Sequence, residues 1–199
     1  EDVRQNAQLA AALEPQRIAM FGYAHVPWLK ANQRRIDEAT LPGLSARIAQ
    51  AKVAFETLGR LGYVPIGLDH FAHPSDELSI AAREHRLRRN FQGYSIDRAD
   101  ALIGLGASAI GRLPQGFTQN AAETGHYLRA IENGSLATVK GLALSDEDLL
   151  RGRIIERLMC DLAVNLDDIG ASDIDFSTEL AKLAPLAADG LLRIERRHV

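Results

Sequence analysis

Between Gly67 and Ser95 the sequence reads G-L-D-H-F-A-H-P-S-D-E-L-S-I-A-A-R-E-H-R-L-R-R-N-F-Q-G-Y-S. It gathers His70, His73 and His85, the acids Asp69, Asp76 and Glu77, and the arginines Arg83, Arg86, Arg88 and Arg89. The amide-aromatic tail Asn90, Phe91, Gln92, Tyr94 follows. A surface loop does not need that mixture; a site holding a multiply anionic substrate beside a titratable group does. Guanidinium forks bind carboxylates and phosphates bidentately. Arg88 and Arg89, past the end of the preceding helix and next to Asn90, are the better candidates for such an anion. Asp69-His70-Phe71-Ala72-His73 reads as a metal site, as a substrate or cofactor contact, or as packing. An extended segment points His70 and His73 to opposite faces, and Pro74 keeps a helix from aligning them with later residues, so the metal signal is weak.

Two other stretches bear on chemistry. Tyr23-Ala24-His25-Val26-Pro27-Trp28 leaves an apolar run at the kind of place where α/β folds build sites, although His25 and Trp28 could equally cap a core. Gly104-x-Gly106-x-x-Ala109 matches a relaxed dinucleotide fingerprint in form only, because Gly111 and Pro114 break the helix that should receive a pyrophosphate. Glycines at a strand end instead let backbone approach a flat ligand such as adenine, or simply pack tightly. No G-x-S-x-G nucleophile elbow occurs. Cys160 is the single cysteine, so the chain holds neither an intrachain disulfide nor a cluster needing several of its own thiolates. In R-L-M-C-D-L-A it reads as a small buried helix residue.

The elements that must position these residues follow from periodicity. A chain of 199 residues with 46% hydrophobic and 25% charged residues has the composition of a soluble globular protein. No apolar run reaches the roughly 20 residues of a membrane span. The first residues lack the basic start and apolar core of a secretory signal, so a cytoplasmic location is expected. A helix is predicted over 3–13, stopped by Pro15, and a strand buried on both faces over Arg17–Val26. A helix from Gly43 to Leu61, with Leu44, Ile48, Ala51, Phe55 and Leu58 on one face and Gly62 as terminator, leads to a strand over Tyr63–Leu68. Strand, helix, strand predicts a βαβ unit of a parallel sheet.

Beyond it, Asp76 and Glu77 open a short helix and Arg89–Ile96 reads as a loop. Ala101–Ala107 reads as a third buried strand, and 119–133 as a helix closed by Gly134. Residues 1–140 form the expected α/β domain and 141–199 a small helical one. In the latter, the Ser145 capping box opens a helix with Leu150, Ile154, Leu158 and Leu162 on one stripe. A second helix over Ser177–Ala188 and a strand over Leu191–Ile194 suggest a winged-helix-like appendage. Seven Lys+Arg against twelve Asp+Glu in 141–199, a net of −5, argue against a nucleic-acid partner.

Several stretches carry a resemblance. Tyr23-Ala24-His25-Val26-Pro27-Trp28, Gly67-x-Asp69-His70-Phe71-Ala72, Asp76-Glu77-Leu78, Arg89-Asn90-Phe91-Gln92-Gly93-Tyr94, Gly104-x-Gly106-x-Ser108-Ala109-Ile110, Gln119-Asn120 and the Arg153–Cys160 helix resemble the oxygen-independent coproporphyrinogen III oxidases (coproporphyrinogen dehydrogenases). The resemblance runs across nearly the whole chain. These are radical S-adenosylmethionine (SAM) enzymes, in which a [4Fe-4S] cluster cleaves SAM to a radical that oxidatively decarboxylates two propionates of coproporphyrinogen III to vinyls. The resemblance implies the last strands of a partial (β/α)6 barrel followed by a mostly helical C-terminal domain. It implies that Ala24 and Ile110 contact the first SAM and that Gln92 contacts a second SAM or the substrate. The arginines suit a substrate with four carboxylates, with Arg88 and Arg89 as the guessed contacts.

The departure from the family is large. Its cluster motif, C-x3-C-x2-F-C-x-C, is absent, and Cys160 alone cannot hold the cluster. The expectation is therefore the C-terminal portion of such an oxidase, inactive by itself, with the missing N-terminal half of the same enzyme as its partner. Two competing readings are a non-catalytic haem or porphyrin carrier related to the family, and an unrelated metal-dependent hydrolase built on His70, His73 and Asp76.

Overall fold

In the computed structural model, which describes residues 1–199, the chain divides into two units, Glu1–Leu87 and Arg88–Val199. The first contains α1 (Asp2–Ala12), β1 (Arg17–Ala19), α2 (Leu44–Arg60), β2 (Val64–Ile66), β3 (His70–Ala72) and α3 (Glu77–Arg83). Its core is Leu58, Tyr63 and Phe71, against which Ala7, Ala11, Ile18 and Met20 pack. The Tyr63 hydroxyl donates to the Pro15 carbonyl at 2.7 Å, tying the end of α1 to the start of β2. Asp76 caps α3 by accepting from the Leu78 amide at 2.8 Å and also takes the Arg17 guanidinium at 2.9 Å.

The parallel βαβ unit is corrected. β3 lies between β1 and β2 and is antiparallel to both, with Ile18 opposite Phe71 and Ile66 opposite His70. β1 and β2 do run in the same direction with α2 between them, so the strand–helix–strand order holds. They are not neighbours, because the chain folds back after β2 through Gly67–Asp69 and β3 fills the gap. Gly67 starts that turn at φ 57, in the left-handed region open to glycine. The strand expected through Val26 ends at Ala19, and Phe21 and Tyr23 are exposed rather than buried. On α2, Leu58 is buried as expected, but Leu44, Ile48 and Phe55 are 76%, 60% and 51% exposed.

In the second unit, β4 (Arg88–Asn90) and β5 (Gly93–Ser95) pair as an antiparallel hairpin where a loop was expected. The Asn90 side chain makes the turn by accepting from the Gln92 amide at 2.8 Å. β6 (Ile110–Leu113), β7 (Gly116–Asn120) and β8 (Thr138–Ala143) form an antiparallel sheet in that order. The strand expected over Ala101–Ala107 is not formed: only Leu102 bridges to Arg112, and Ile103 and Leu105 are exposed. The helix expected over 119–133 is shorter, as α4 (Thr124–Glu132), since its first residues belong to β7. The boundary expected at 140/141 falls inside β8.

Helices α5 (Asp146–Asp161) and α6 (Ser177–Ala188) form where the capping and stop signals put them. The Ser145 hydroxyl accepts from the Asp148 amide at 3.2 Å, and the Asp148 carboxylate accepts from the Ser145 amide at 3.0 Å. Leu150, Val164, Leu166 and Ala171 make the core here, with Ile154 and Leu158 against it. Leu162, in the left-handed conformation that ends α5, is exposed. The strand expected at Leu191–Ile194 is corrected to irregular chain. A turn between Glu195 and His198, with Arg196 at φ 58, sends the tail back so that Val199 exchanges both backbone hydrogen bonds with Val164. The bridges that His198 makes to Asn165 and to Glu195 come directly after the residues expected to form that strand.

Cys160 is buried on α5, and desolvation pushes its thiol up to about 11 from 9.0. Between those two values the unfolded chain releases the thiol proton while the folded chain keeps it, so stability falls as pH rises through that window. Chemical denaturation at pH 8 and pH 10.5 is expected to show a smaller alkaline loss for Cys160→Ala than for the unmutated chain. A thiol reagent at pH 8 is expected to react only after the chain unfolds.

Candidate functional site

The hairpin β4–β5 and the segment between β5 and β6 face each other across an open cleft of ≈ 240 Å³. Phe91 and Gln92, the two residues of the hairpin tip, form one wall; Ile103, Gly104, Leu105 and Ile110 form much of the other. Gln92 and Ile110 thus line the same cavity. The walls are mainly apolar with one amide, a setting suited to a flat heteroaromatic ring.

Local polar contacts hold each wall. The Asn120 side-chain amide donates to the carbonyls of Gly104 at 2.9 Å and Gly106 at 3.1 Å. The Gly106 amide donates to the Tyr127 hydroxyl at 3.1 Å, and the Gln119 side chain donates to the Ser108 carbonyl at 3.2 Å. These bonds replace the ladder that a strand over 101–107 would have made. A Cβ at Gly104 would come within 2.9 Å of the Ile110 carbonyl carbon and oxygen, so this close approach needs glycine. On the opposite wall Phe91 packs edge-on against Phe117 at 5.2 Å between ring centroids.

The two candidate arginines are held differently. Arg88 donates from Nε to the Glu156 carboxylate at 2.9 Å. The Arg89 guanidinium lies 4.5 Å from the centroid of the Tyr94 ring, and its Nη1 is buried without a hydrogen-bond partner. Arg83 donates to the Pro74 carbonyl and Arg86 pairs with Glu84, both at the surface. The four arginines therefore do not form one cluster.

Ala24 lies in the first unit, exposed, in the irregular segment after β1. Gln33 clamps this segment: its side-chain oxygen accepts from the Val26 amide at 2.6 Å and its nitrogen donates to the Ala24 carbonyl at 3.1 Å. Beside it the Tyr23 hydroxyl, the His25 ring and the Glu38 carboxylate form a hydrogen-bonded chain at 3.1 and 3.2 Å. His25 therefore joins a polar network instead of capping a core.

The Asp69 carboxylate holds His70 through Nδ1 at 2.6 Å, with the Phe21 ring edge-on at 5.9 Å. His73 bonds to Ser75 at 2.8 Å. The two histidines thus engage separate partners, and no group of three or more His, Cys, Asp or Glu side chains is arranged to hold a metal ion.

Sequence reasoning missed Glu156, Tyr127 and Gln33, and met Asn120 only within a motif. The gap between Arg88 and Glu156 explains one omission: no local spacing links them. An Asn at the end of a strand beside a glycine-rich segment was a readable signal for Asn120, because its amide can replace missing backbone partners.

Comparison with known proteins adds relatives. The model of the HemN C-terminal domain matches residues 144–199, starting directly after β8. The chain is 47% identical over 187 residues to the oxygen-independent coproporphyrinogen III oxidase of Bradyrhizobium diazoefficiens, covering 92% of this chain and 42% of that protein. It is 44% identical to the Paracoccus denitrificans protein of the same name, over 94% of this chain and 42% of that protein. The solved structure of the Escherichia coli coproporphyrinogen III oxidase HemN, described as a radical SAM enzyme, superposes with a TM-score of 0.87 at 36% identity. That match covers 96% of this chain and 45% of the other. The chain thus spans under half the length of these relatives, and over nearly all of its own length it is similar to oxygen-independent coproporphyrinogen III oxidases.

Proposed function

We propose that this chain is the C-terminal portion of a cytoplasmic radical SAM oxidase that converts two propionates of coproporphyrinogen III to vinyls, giving protoporphyrinogen IX. The observation that carries the reading is the cleft with both Gln92 and Ile110 in its walls; the resemblance implies that Ile110 contacts the first SAM and Gln92 a second SAM or the substrate. Apolar side chains with one amide suit the adenine and thioether portions of SAM. Ala24, fixed through its carbonyl by Gln33, is the third proposed SAM contact.

The [4Fe-4S] cluster does not fit this chain. Its single cysteine is buried with a thiol held protonated far above neutral pH, and no other ligand group gathers. We assign the cluster to a preceding half of the same enzyme, without which this portion is inactive. Bound SAM and the cluster would supply the radical chemistry, for which Ala24, Gln92 and Ile110 of this chain would hold SAM and Arg89 would hold a propionate. This chain's own contribution is binding and orientation.

Among the arginines, Arg89 is the proposed propionate contact. Arg88 is already neutralised by Glu156, whereas the Arg89 Nη1 is a buried donor with no acceptor. A carboxylate would satisfy it with a charge-assisted bond.

The exposed face of α2 supports the missing half as partner. Leu44, Ile48 and Phe55 fall at helical spacing and stay largely in solvent. Scattered apolar residues at a surface are ordinary, but a stripe along one helix face marks a contact. The sheet of the first unit is open at β1 and β2, and those edges are where strands of that half would pair in the proposed partial barrel. The proposed domains divide near 140/141, where the mostly helical C-terminal domain begins.

The full-length protein is expected to bind about four irons per chain with matching sulfide and to release carbon dioxide from coproporphyrinogen III. Arg89→Ala is expected to lower kcat/KM by about tenfold to a hundredfold, as loss of one charged hydrogen bond does. Full activity in that variant removes Arg89 from the substrate site. A full-length protein without iron, but with a haem-induced Soret band, favours the carrier reading.

Ile48→Glu is expected to change the stability of this chain by no more than about 0.5 kcal/mol. In the full-length protein the same change is expected to lower folded yield and melting temperature. Equal effects in both argue that nothing covers α2.

A further inference from the structure

The hairpin that presents Gln92 has few means of holding itself in place. β4 and β5 are each three residues long, and an isolated two-stranded hairpin of that size is marginal in water. Its position must come from elsewhere: Phe91 at the tip packs edge-on against Phe117, and α5 holds the strands below it at two points. One oxygen of Glu156 accepts the Arg88 Nε at 2.9 Å and the Arg89 backbone amide at 3.3 Å, fixing the outgoing strand by side chain and main chain together. On the returning strand the Tyr94 hydroxyl donates to the Met159 carbonyl at 2.9 Å. That carbonyl lies near the C-terminal end of α5, where acceptors run short of helical donors.

Glu156 and Met159 are three residues apart and so neighbours on one helical face. Arg88 and Arg89 pair with Ser95 and Tyr94 across the hairpin. The mount therefore grips both strands directly below the tip. The Glu156 side chain is 18% exposed, partly shielded from water, where an ion pair with a second hydrogen bond holds geometry better than a surface pair.

We propose that Glu156 is a positioning residue: it does not touch the cleft, but it sets the Phe91–Gln92 tip against the wall that carries Ile110. The helix of the C-terminal domain thereby fixes one side of the ligand cleft. The proposal rests on the cofactor reading only for its consequence; the mount itself is independent of any ligand.

Hydrogen exchange on the 199-residue chain tests it. Glu156→Ala is expected to speed amide exchange of residues 88–95 by about tenfold or more, on the scale of losing one charged hydrogen bond, with little change in α2 and α6. Glu156→Gln, which keeps an acceptor oxygen for the Arg89 amide and the Arg88 Nε, is expected to recover most of the protection. That rescue separates positioning from general packing. Glu147→Ala, which removes an exposed ion pair to Arg151 on the same helix, is the control and is expected to leave the hairpin unchanged. Hairpin exchange equal to the unmutated chain in Glu156→Ala overturns the proposal. So does acceleration spread evenly over both units, or acceleration in Glu156→Gln as large as in Glu156→Ala. None of these readouts involves SAM or substrate, so a failed mount and a failed oxidase reading are told apart.

Discussion

The carboxylate of Glu156, together with the Tyr94 hydroxyl on the Met159 carbonyl, joins two pieces of chain. One is a hairpin too short to be stable alone; the other is a helix stabilised by its own capping box and by a core under Leu150. By accepting from Arg88 and from the Arg89 main chain, Glu156 passes the order of the helix to the hairpin. Asn120 acts in the same way on the far wall, where a segment with no regular structure is fixed through the Gly104 and Gly106 carbonyls. Both walls of the cleft are therefore irregular or short elements pinned by a few side-chain contacts with regular ones. Such walls adapt to a ligand more readily than strands in mid-sheet, and a single substitution at the pin disturbs them more.

The division of labour within the proposed enzyme follows from chemistry that the chain has and chemistry that it lacks. It has apolar surface, amides and buried guanidinium, which bind and orient. It has one inert thiol, which excludes holding the cluster. Ala24 belongs to the first unit, and the cleft residues Gln92 and Ile110 belong to the second.

Helices, and the places of β1 and β2, were legible in the sequence; the other strands and the pairing of all of them were not. Ser145 with Asp148, Asp76 ahead of α3, and the Gly62, Gly134 and Gly190 stops act locally, so spacing alone located α2, α5 and α6 to within a residue or two. Strand pairing is non-local. The run Ala101–Ala107 has the apolar composition of a buried strand, yet the close approach of Gly104 to Ile110 and the Asn120 clamp make it a loop. The sheet β6–β7–β8 was hidden in part because the helix expected over 119–133 took in the end of β7; Pro114-Gln115 before Gly116 was an available turn signal. Gln92 and Ile110 came from family motifs, whereas Glu156 had no sequence signal tying it to Arg88.

The most direct test is calorimetric titration of SAM into the full-length protein, unmutated and as Gln92→Ala and Ile110→Asp. If the cleft holds this cofactor, Gln92→Ala is expected to weaken binding about tenfold and Ile110→Asp by more, since a carboxylate would stand in an apolar wall. Unchanged affinity in both variants contradicts the assignment of the cleft and returns the site to the family resemblance alone.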